Sequence, residues 1–243
     1  MKETHTVVTH EARPAPPIVG SPPRPAAAGT PAAATGRTPR ISDPRAARRA
    51  FLAAVVRNPT KVGAIAPTSA TMAELLTRIV PRSGAPVVVE LGPGTGAVTG
   101  VIDDRLPPQA RHIAVELDAE MADFLGRTHP GLEVIQGDAV KIGALLAEHG
   151  VEQADAVVSG LPWSLFDDAT QTAILSQIAE VIGPDGAFTT FAYRHGLLLS
   201  AARRFRRALH ETFEEVLVTA TIWRNVPPAF GYVCRRPRRS PGS

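Results

Sequence analysis

The chain has 243 residues, 44% of them hydrophobic, which suffices for one large domain with an extension. The formal net charge of +3 comes mainly from arginines in a few segments, and such basic patches favour phosphate-bearing partners, either lipid or nucleic acid. One cysteine, Cys234, excludes an internal disulfide, a cysteine zinc site and a redox thiol pair, and we predict no metal centre. No stretch approaches the ~18 apolar residues of a membrane span, so we expect a cytoplasmic protein.

The N-terminal part of the chain contains two kinds of sequence. Residues 1–42 are rich in Pro, Ala, Gly and Thr, without apolar periodicity. Such a segment cannot bury enough surface to offset its chain entropy, so it is predicted to be a disordered extension. Residues 43–81 are predicted to form two helices, the first opening at Asp43-Pro44 and the second capped at Thr68 or Ser69.

From Pro86 onward, short β-branched runs alternate with helix-length segments, which predicts βαβ units and an open parallel sheet covered on both faces. Two consecutive strands close the chain. We therefore predict an α/β fold with a doubly wound, mostly parallel seven-stranded sheet and a C-terminal antiparallel hairpin, the Rossmann-like arrangement of class I methyltransferases. The predicted strands are 87–91, 112–116, 132–137, 156–159, 187–193, 216–223 and 229–235, with helices beginning near Gly96, Ala119, Lys141, Ala169 and Gly196. This domain is expected to span 82–237, before a basic tail at 238–243.

A glycine-rich turn follows the first predicted strand of the sheet. Glu90 lies in the strand end, and Gly92, Gly94 and Gly96 recur at every second residue around Thr95. Glycines permit a tight backbone and the close approach of a ligand. Dinucleotide sites use a similar turn, but the carboxylate of Glu90 would repel a pyrophosphate. It suits the cationic amino-acid part of S-adenosylmethionine, which we predict to be the cofactor.

Polar residues also follow the next three predicted strands. Glu116 ends the second strand at roughly the ~20-residue spacing at which an acidic side chain meets ribose hydroxyls. Asp138, next to Ala139, is placed to accept a hydrogen bond from the adenine amino group, and Ser159 and Leu161 complete the predicted site. Each carboxylate alone is more often a solvated loop end, but ligands bind at the edge where parallel strands end.

The fourth predicted strand leads into Ser159-Gly160-Leu161-Pro162-Trp163. This segment resembles the S-G-L-P motif of the bacterial soluble phospholipid N-methyltransferases, and it is more distantly similar to the N-L-P-Y motif of rRNA adenine dimethyltransferases. The resemblance covers about residues 51–236, and the element Arg224-Asn225-Val226-Pro227-Pro228-Ala229 is the part most specific to the lipid family. It implies successive N-methylation of phosphatidylethanolamine, or a related aminolipid, toward phosphatidylcholine. The chain departs from the family after Tyr193, where Arg194-His195-Gly196 replaces a proline-rich turn.

The residues predicted to serve the methyl acceptor are Tyr193, Trp163 and His195. Methyl transfer needs a neutral amine lone pair, an in-line approach and exclusion of water. Trp163, Phe166 and Tyr193 are candidates for aromatic faces toward an ammonium, although Trp163 and Phe166 are equally expected in the core. Tyr193 or His195 is the candidate to accept or relay the proton of the amine, with a surface position the stronger expectation for His195.

Two basic amphipathic helices are predicted, and such helices can lie in the interface of an anionic bilayer. In the second helix we expect the apolar stripe to pack on the domain while the arginines stay exposed. The protein is therefore expected to associate peripherally with an anionic membrane that contains its phospholipid substrate. The arginines are Arg45, Arg48 and Arg49 in the first helix and Arg203, Arg204, Arg206 and Arg207 in the second; the stripe is Leu198, Ala201, Ala202, Phe205 and Leu209.

Three alternatives share the predicted cofactor site. An RNA adenine methyltransferase carries a helical RNA-binding domain after the last strand, whereas this chain ends soon after it, so nucleic acid is not the expected partner. A non-catalytic S-adenosylmethionine-binding protein would lose the acceptor residues, which here include Leu161-Pro162-Trp163 and Tyr193. A small-molecule methyltransferase of specialised metabolism remains open, because a fold alone does not set the substrate.

Overall fold

A computed structural model of the chain describes residues 68–198 and 200–238, and the strands of this part form one seven-stranded sheet. The sheet order is β3-β2-β1-β4-β5-β7-β6, with parallel pairing from β1 to β5 and antiparallel pairing of β7 with β5 and β6. The predicted doubly wound sheet with a terminal antiparallel hairpin is confirmed. The strands are β1 (Val87–Leu91), β2 (Arg111–Glu116), β3 (Glu133–Gln136), β4 (Ala154–Ser159), β5 (Ile182–Tyr193), β6 (Phe213–Val218) and β7 (Ala229–Pro237).

Six α-helices within the described residues connect and cover these strands. Side-chain caps set the start of three of them, because Ser69, Asp118 and Asp167 each accept a hydrogen bond from a backbone N–H of the first helical turn. The helices are α1 (Ala70–Leu76), α2 (Thr99–Asp103), α3 (Ala119–Thr128), α4 (Ile142–Glu148), α5 (Asp168–Val181) and α6 (Ser200–Thr212).

The core consists of two main apolar clusters on opposite faces of the sheet. Val89 and Leu91 of β1 belong to the cluster that includes α4, α5 and α6, whereas Val88 belongs to the cluster that includes α1 and α2. Successive side chains of a strand point to opposite faces, so β1 is buried on both sides. The strand that leads into the glycine turn is therefore held rigidly from above and below.

The predicted boundaries are wrong around β6. The expected strand at 216–223 lies instead at Phe213–Val218, directly after α6, and Trp223 belongs to the loop that follows. Phe213 is fully buried, and its ring stacks on that of Phe188 with centroids 5.8 Å apart. This contact between distant parts of the sequence places Phe213 in the sheet.

The helix after the glycine turn also begins later than predicted. Gly96 has a φ of 82°, which a right-handed helix cannot use, and its N–H donates to the Pro93 carbonyl at 3.0 Å. The turn therefore continues past Gly96, and α2 begins at Thr99. The other large difference is in β5, which begins at Ile182 rather than at the predicted residue 187.

Of the two predicted amphipathic helices, only the second lies within the described residues. The first, with Arg45, Arg48 and Arg49, lies outside the described residues, as do the extension 1–42 and residues 239–243 of the tail. The second is α6, which buries Phe205 and Leu209 in the core and leaves its four predicted arginines exposed, as expected. In residues 68–198 and 200–238, none of the helices is both long and apolar enough to span a bilayer.

Candidate active site

The ends of β1, β2 and β4 are joined by backbone hydrogen bonds at one edge of the sheet. The Gly92 N–H donates to the Val115 carbonyl at 3.0 Å, and the Gly160 N–H donates to the Leu91 carbonyl at 2.9 Å. These bonds continue the ladder beyond the strands. The glycine turn after β1 is thereby held beside the end of β2 and the Ser159-Gly160-Leu161 segment.

The glycine turn has a backbone that other residues rarely adopt, with φ of 66° at Gly92 and 57° at Gly94. A Cβ on Gly92 would lie 2.8 Å from Leu161 Cδ2, and a Cβ on Gly160 would lie 2.7 Å from the Gly92 carbonyl oxygen. Gly160 and Leu161, which follow β4, are therefore packed tightly against the glycine turn. At Gly94, by contrast, no atom of the residues that the structure describes lies within 4 Å of the position of a Cβ, which leaves room for a ligand to approach the backbone.

Glu116 lies at the end of β2 beside this turn and is almost completely buried. Its Oε2 accepts a hydrogen bond from the Gly94 N–H at 3.1 Å, and its Oε1 accepts one from the Asp118 N–H at 3.0 Å. Burial raises the pKa of the Glu116 carboxyl, against the opposing effect of these backbone donors. Each carboxylate oxygen can accept a further hydrogen bond, so Glu116 retains the capacity to bind ribose hydroxyls.

Glu90 lies in β1 two residues before the glycine turn, with only 2% of its surface exposed. Its Oε2 accepts a hydrogen bond from the Thr99 hydroxyl at 2.7 Å and lies 3.5 Å from His112 Nε2. The other ring nitrogen, His112 Nδ1, lies 2.6 Å from Asp103 Oδ1. The carboxylate predicted to meet the amino-acid part of the cofactor thus belongs to a polar network that runs from the core to the exposed Asp103 and that no local sequence pattern predicts.

The neighbouring charges shift the pKa values of His112 and Asp103. Burial disfavours the charged form of His112, but its hydrogen bond to Asp103 and the attraction of the Asp103 and Glu90 carboxylates outweigh burial and raise the pKa of His112. His112 Nε2 itself is buried without a hydrogen-bond partner among the described residues. Burial likewise opposes ionisation of Asp103, yet its hydrogen bonds with His112 and His129 keep the Asp103 pKa below its usual value. The raised pKa favours the protonated form of His112, whose charge can compensate a buried carboxylate beside it.

The remaining predicted cofactor residues lie around the same edge. Asp138 caps the short turn Ala139–Lys141 by accepting a hydrogen bond from the Val140 N–H at 3.2 Å. The buried Ser159 hydroxyl accepts from the Leu161 N–H at 3.2 Å and so shapes the turn after β4. Thr95 is exposed in the glycine turn, and Ala139 is half-buried beside Asp138.

A largely apolar pocket of about 880 Å³, part of it open to solvent, lies next to this edge. Leu161 connects the two regions, because it contacts Gly92 and also lines the pocket. The pocket is thus bounded by the segments after β4 and β5, by α6 and by β7. Its lining includes Leu161, Pro162, Trp163, Phe191, Tyr193, His195, Phe205, Pro227 and Tyr232.

Trp163 forms a fixed part of the pocket wall, with 3% of its surface exposed. Its indole N–H donates to the Thr190 hydroxyl at 2.9 Å, and its ring stacks on Phe205 with centroids 4.6 Å apart. The buried Gln171 amide donates to the Trp163 carbonyl at 2.8 Å and holds the segment against α5. Trp163 and Phe166, which make an edge-on contact, are therefore core residues.

Tyr193 and His195 are brought together at the pocket. Their rings stack with centroids 5.7 Å apart, and the edge-on contact of Phe191 with the Tyr193 ring supports the pair from the strand. Burial raises the pKa of Tyr193 to about 12, so its hydroxyl stays protonated at neutral pH and can both donate and accept a hydrogen bond. His195 is exposed, as predicted from the sequence, and it also lines the pocket.

The structure explains the Asn225-Val226-Pro227-Pro228 element in physical terms. Asn225 is 2% exposed; its amide oxygen accepts from the Ser69 N–H at 3.2 Å, and its amide N–H donates to the Pro227 carbonyl at 2.7 Å. These bonds tie the loop before β7 to the start of α1. Pro227 is thereby placed in the pocket wall. The role of Pro227 in the pocket wall, like that of Tyr232, had no counterpart in local sequence patterns, because it depends on long-range contacts.

Comparisons with known proteins agree with this arrangement. A model of the methyltransferase domain matches residues 88–186. An ornithine lipid N-methyltransferase of Singulisphaera acidiphila is 34% identical over 193 residues, a match that covers 78% of this chain and 96% of that protein. The ribosomal RNA small subunit methyltransferase A of Paracidovorax citrulli is 34% identical over 111 residues, but that match covers 45% of this chain and 40% of the relative.

Solved structures show the same fold. Human methyltransferase-like protein 13 in complex with S-adenosylhomocysteine has a TM-score of 0.54 at 16% identity, over 73% of this chain and 85% of that chain. Fibrillarin of Aeropyrum pernix with bound S-adenosylmethionine has a TM-score of 0.51 at 16% identity, over 67% of this chain and 72% of that chain. The open approach to Gly94 and the carboxylate of Glu116 fit S-adenosylmethionine, which is the cofactor. The chain belongs to the family of S-adenosylmethionine-dependent class I methyltransferases that includes the ornithine lipid N-methyltransferase of S. acidiphila.

Proposed function

We propose that this methyltransferase N-methylates the amine head group of a membrane lipid, with phosphatidylethanolamine or an ornithine lipid as the acceptor. The observation that carries this proposal is the largely apolar pocket that adjoins the glycine turn through Leu161. An apolar wall suits the part of a lipid next to its head group, while Tyr193 and His195 supply polar groups for the amine. The similarity to an ornithine lipid N-methyltransferase, which covers nearly the whole length of that relative, supports a lipid amine as the acceptor.

The protein's contribution to the reaction is placement and exclusion of water. S-adenosylmethionine supplies an electrophilic methyl group on a sulfonium. The apolar side chains of Leu161 and Trp163 keep water from the space between the glycine turn and the acceptor, and their fixed positions hold the amine for in-line attack. Each methyl transfer turns the neutral amine into an ammonium with one positive charge, and the exposed faces of the pocket aromatics stabilise that ammonium.

Tyr193 and His195 divide the handling of the amine between them. Because the pKa of Tyr193 is about 12, its hydroxyl is not a base at neutral pH but orients the lone pair by accepting a hydrogen bond from the amine N–H. His195, exposed beside it, receives the proton that the amine loses and passes it to solvent. The two adjacent rings therefore act as an orienting group and a proton acceptor.

Membrane association completes the proposed function, because a lipid acceptor has to be reached from the bilayer surface. Positive charge for anionic lipids comes from the exposed arginines of α6, which are Arg203, Arg206 and Arg207. The predicted first helix adds Arg45, Arg48 and Arg49. Arg204 is less available, since its Nε contacts Asp168 Oδ1 at 2.5 Å.

The proposal is tested by incubating purified protein with S-adenosylmethionine labelled in its methyl group. Vesicles that contain phosphatidylethanolamine, vesicles that contain ornithine lipid, ribosomal RNA and a pool of small amines are supplied separately. Label in a lipid amine is the expected result. Label only in RNA or in a small amine contradicts the proposal and supports one of the alternative methyltransferase activities, and the partial similarity to ribosomal RNA methyltransferases makes the RNA arm the most informative control.

A further inference from the structure

The loop between β6 and β7, residues 219–228, displays two large apolar side chains to solvent. Trp223 is 65% exposed and Val226 is 73% exposed, more than any other large hydrophobic residue in the part of the chain that the structure describes. The loop is not loosely attached, because Asn225 between them is buried and hydrogen-bonded to Ser69 and Pro227. A firmly held loop therefore presents Trp223 and Val226 outward, although exposing them to water is unfavourable.

This loop is continuous with the mouth of the pocket. Pro227, which follows Val226, lines the pocket, and the backbone N–H of Arg194 donates to the Pro228 carbonyl at 2.8 Å. Arg194 stands between the two pocket residues Tyr193 and His195 in the chain. Its guanidinium lies 5.0 Å from the centre of the Trp223 ring, so the exposed indole contacts the residue that joins Tyr193 to His195.

The loop and the segment that follows Tyr193 carry charge of one sign. Residues 194–210 and 219–228 contain no Asp or Glu, while Arg194 and Arg224 are exposed beside Trp223. Further exposed arginines, including Arg203 and Arg207, lie on α6. An indole with an arginine over its ring, flanked by more arginines, matches the chemistry of a bilayer interface, where tryptophan sits at the head-group level and arginine contacts phosphates.

We propose that the loop 219–228 is an interfacial anchor that seats the pocket mouth on an anionic phospholipid bilayer. Trp223 and Val226 enter the head-group region, and Arg194 and Arg224 contact lipid phosphates. This inference rests on the proposed function, since it explains how a lipid amine reaches Tyr193 from the membrane. It adds a membrane contact that the basic helices alone do not provide, because Trp223 inserts beside the pocket.

The first test uses the two tryptophans of the chain, of which Trp163 is buried and Trp223 is exposed. The full-length protein is mixed with phosphatidylglycerol-containing vesicles whose acyl chains are brominated, and tryptophan emission is recorded. Bromine should quench the emission of the wild type. It should leave that of Trp223→Phe, in which only Trp163 remains, nearly unchanged. Unquenched Trp223 emission in protein that sediments with the vesicles overturns the proposal.

The free protein supplies a second decisive measurement. Acrylamide should quench Trp223 readily in the absence of vesicles. If Trp223 is as shielded from acrylamide as Trp163, another part of the chain, such as residues 1–67, covers the loop and the proposal is wrong. If ribosomal RNA shields Trp223 from acrylamide and anionic vesicles do not, the surface belongs to an RNA partner and the proposal is equally wrong.

A mutational test compares Trp223→Ala and Val226→Ser with Phe124→Ala, a matched control whose side chain is 36% exposed on α3. Each loop variant should bind anionic vesicles about tenfold more weakly, given the apolar area that it withdraws from the interface, while the control binds like the wild type. Equal vesicle binding by all four proteins contradicts the anchor. Circular dichroism of each variant establishes that the fold is retained.

Turnover separates this proposal from the proposed function. The loop variants should methylate vesicle lipid more slowly, but they should methylate a short-chain aminolipid below its critical micelle concentration within about twofold of the wild type, because a monomer needs no interface. An equal loss on both forms of the lipid means that the loop serves the pocket and not the membrane. If the wild type methylates neither form, the proposed function fails, while quenching and sedimentation still decide whether the loop inserts.

Discussion

The Oε2 atom of Glu116 accepts a hydrogen bond from the backbone N–H of Gly94 at 3.1 Å and so joins the end of β2 to the middle of the glycine turn. Residues that lie 22 positions apart are thereby brought together in the predicted cofactor site. The bond also restrains the glycine turn, because glycines at positive φ could otherwise adopt other backbone conformations. Glu116 is consequently both a candidate ribose ligand and a support for the turn.

Replacing Glu116 by Ala should weaken S-adenosylmethionine binding about tenfold or more, because the variant loses the carboxylate and leaves the Gly94 N–H without its acceptor. Glu116→Gln, which keeps one acceptor oxygen, should lose less affinity. Calorimetric titration measures both. Glu133→Ala serves as the control, since that carboxylate pairs with Arg111 at the opposite edge of the sheet. Unchanged affinity in Glu116→Ala contradicts the assignment.

Tyr193→Phe should lower kcat by about tenfold or more while leaving cofactor affinity nearly unchanged, because only the hydroxyl that orients the amine is lost. The pKa of Tyr193 is about 12, so ionisation of this phenol should cause no change in the pH–rate profile until pH approaches that value. Rates of lipid methylation across pH, with calorimetry of cofactor binding, provide the measurement. Full activity in Tyr193→Phe would restrict the role of Tyr193 to its ring.

The His112 network should make stability depend on pH. The folded state raises the pKa of His112 above its ordinary 6.5, so the stabilisation is fully present below 6.5 and is lost as pH rises through the raised value. The lowered pKa of Asp103 contributes stability that is lost as pH falls through that lowered value. Urea unfolding at a series of pH values should show the alkaline decline in the wild type and a flatter profile in His112→Asn. An equally steep decline in the variant would assign it to another group.

Thr190→Val should lower the free energy of unfolding by about 1–3 kcal/mol, because the indole N–H of Trp163 would remain buried without an acceptor. Thr71→Val, at an exposed position of α1, changes the same atoms and should stay within about 0.5 kcal/mol of the wild type. Urea denaturation compares the two. Equal stability of both variants would mean that the Trp163–Thr190 bond contributes nothing to the fold.

Changing Arg45, Arg48 and Arg49 together to Glu should abolish sedimentation with anionic liposomes at moderate salt, since each arginine near such a surface contributes about 1 kcal/mol. Cofactor binding should be unaffected, and deletion of residues 1–40 should leave sedimentation nearly unchanged. The salt dependence distinguishes this contact from apolar insertion, which salt does not screen. If the Glu variant sediments and methylates lipid like the wild type, membrane contact rests on Arg203, Arg206, Arg207 and the loop 219–228.

The sequence by itself determined the architecture and the edge of the sheet at which the predicted cofactor residues meet. Alternation of β-branched runs with helical segments predicts the sheet, because burial periodicity is a local property. The glycine spacing predicts the turn, because positive φ is a property of the residue itself. Once the strands are parallel, their ends share one edge, so the approach of Glu116 to the glycine turn also follows from local patterns.

Tertiary structure alone decided the features that depend on which distant residues meet. The carboxylate of Glu90 is held in the core because the Thr99 hydroxyl donates to it and His112 lies beside it. Trp163 is a wall and not a free aromatic face because Phe205 stacks on it from α6. The start of β6 and the outward position of Trp223 likewise depend on packing between remote segments. The energies of such contacts are set by burial and geometry in three dimensions, which no local pattern encodes.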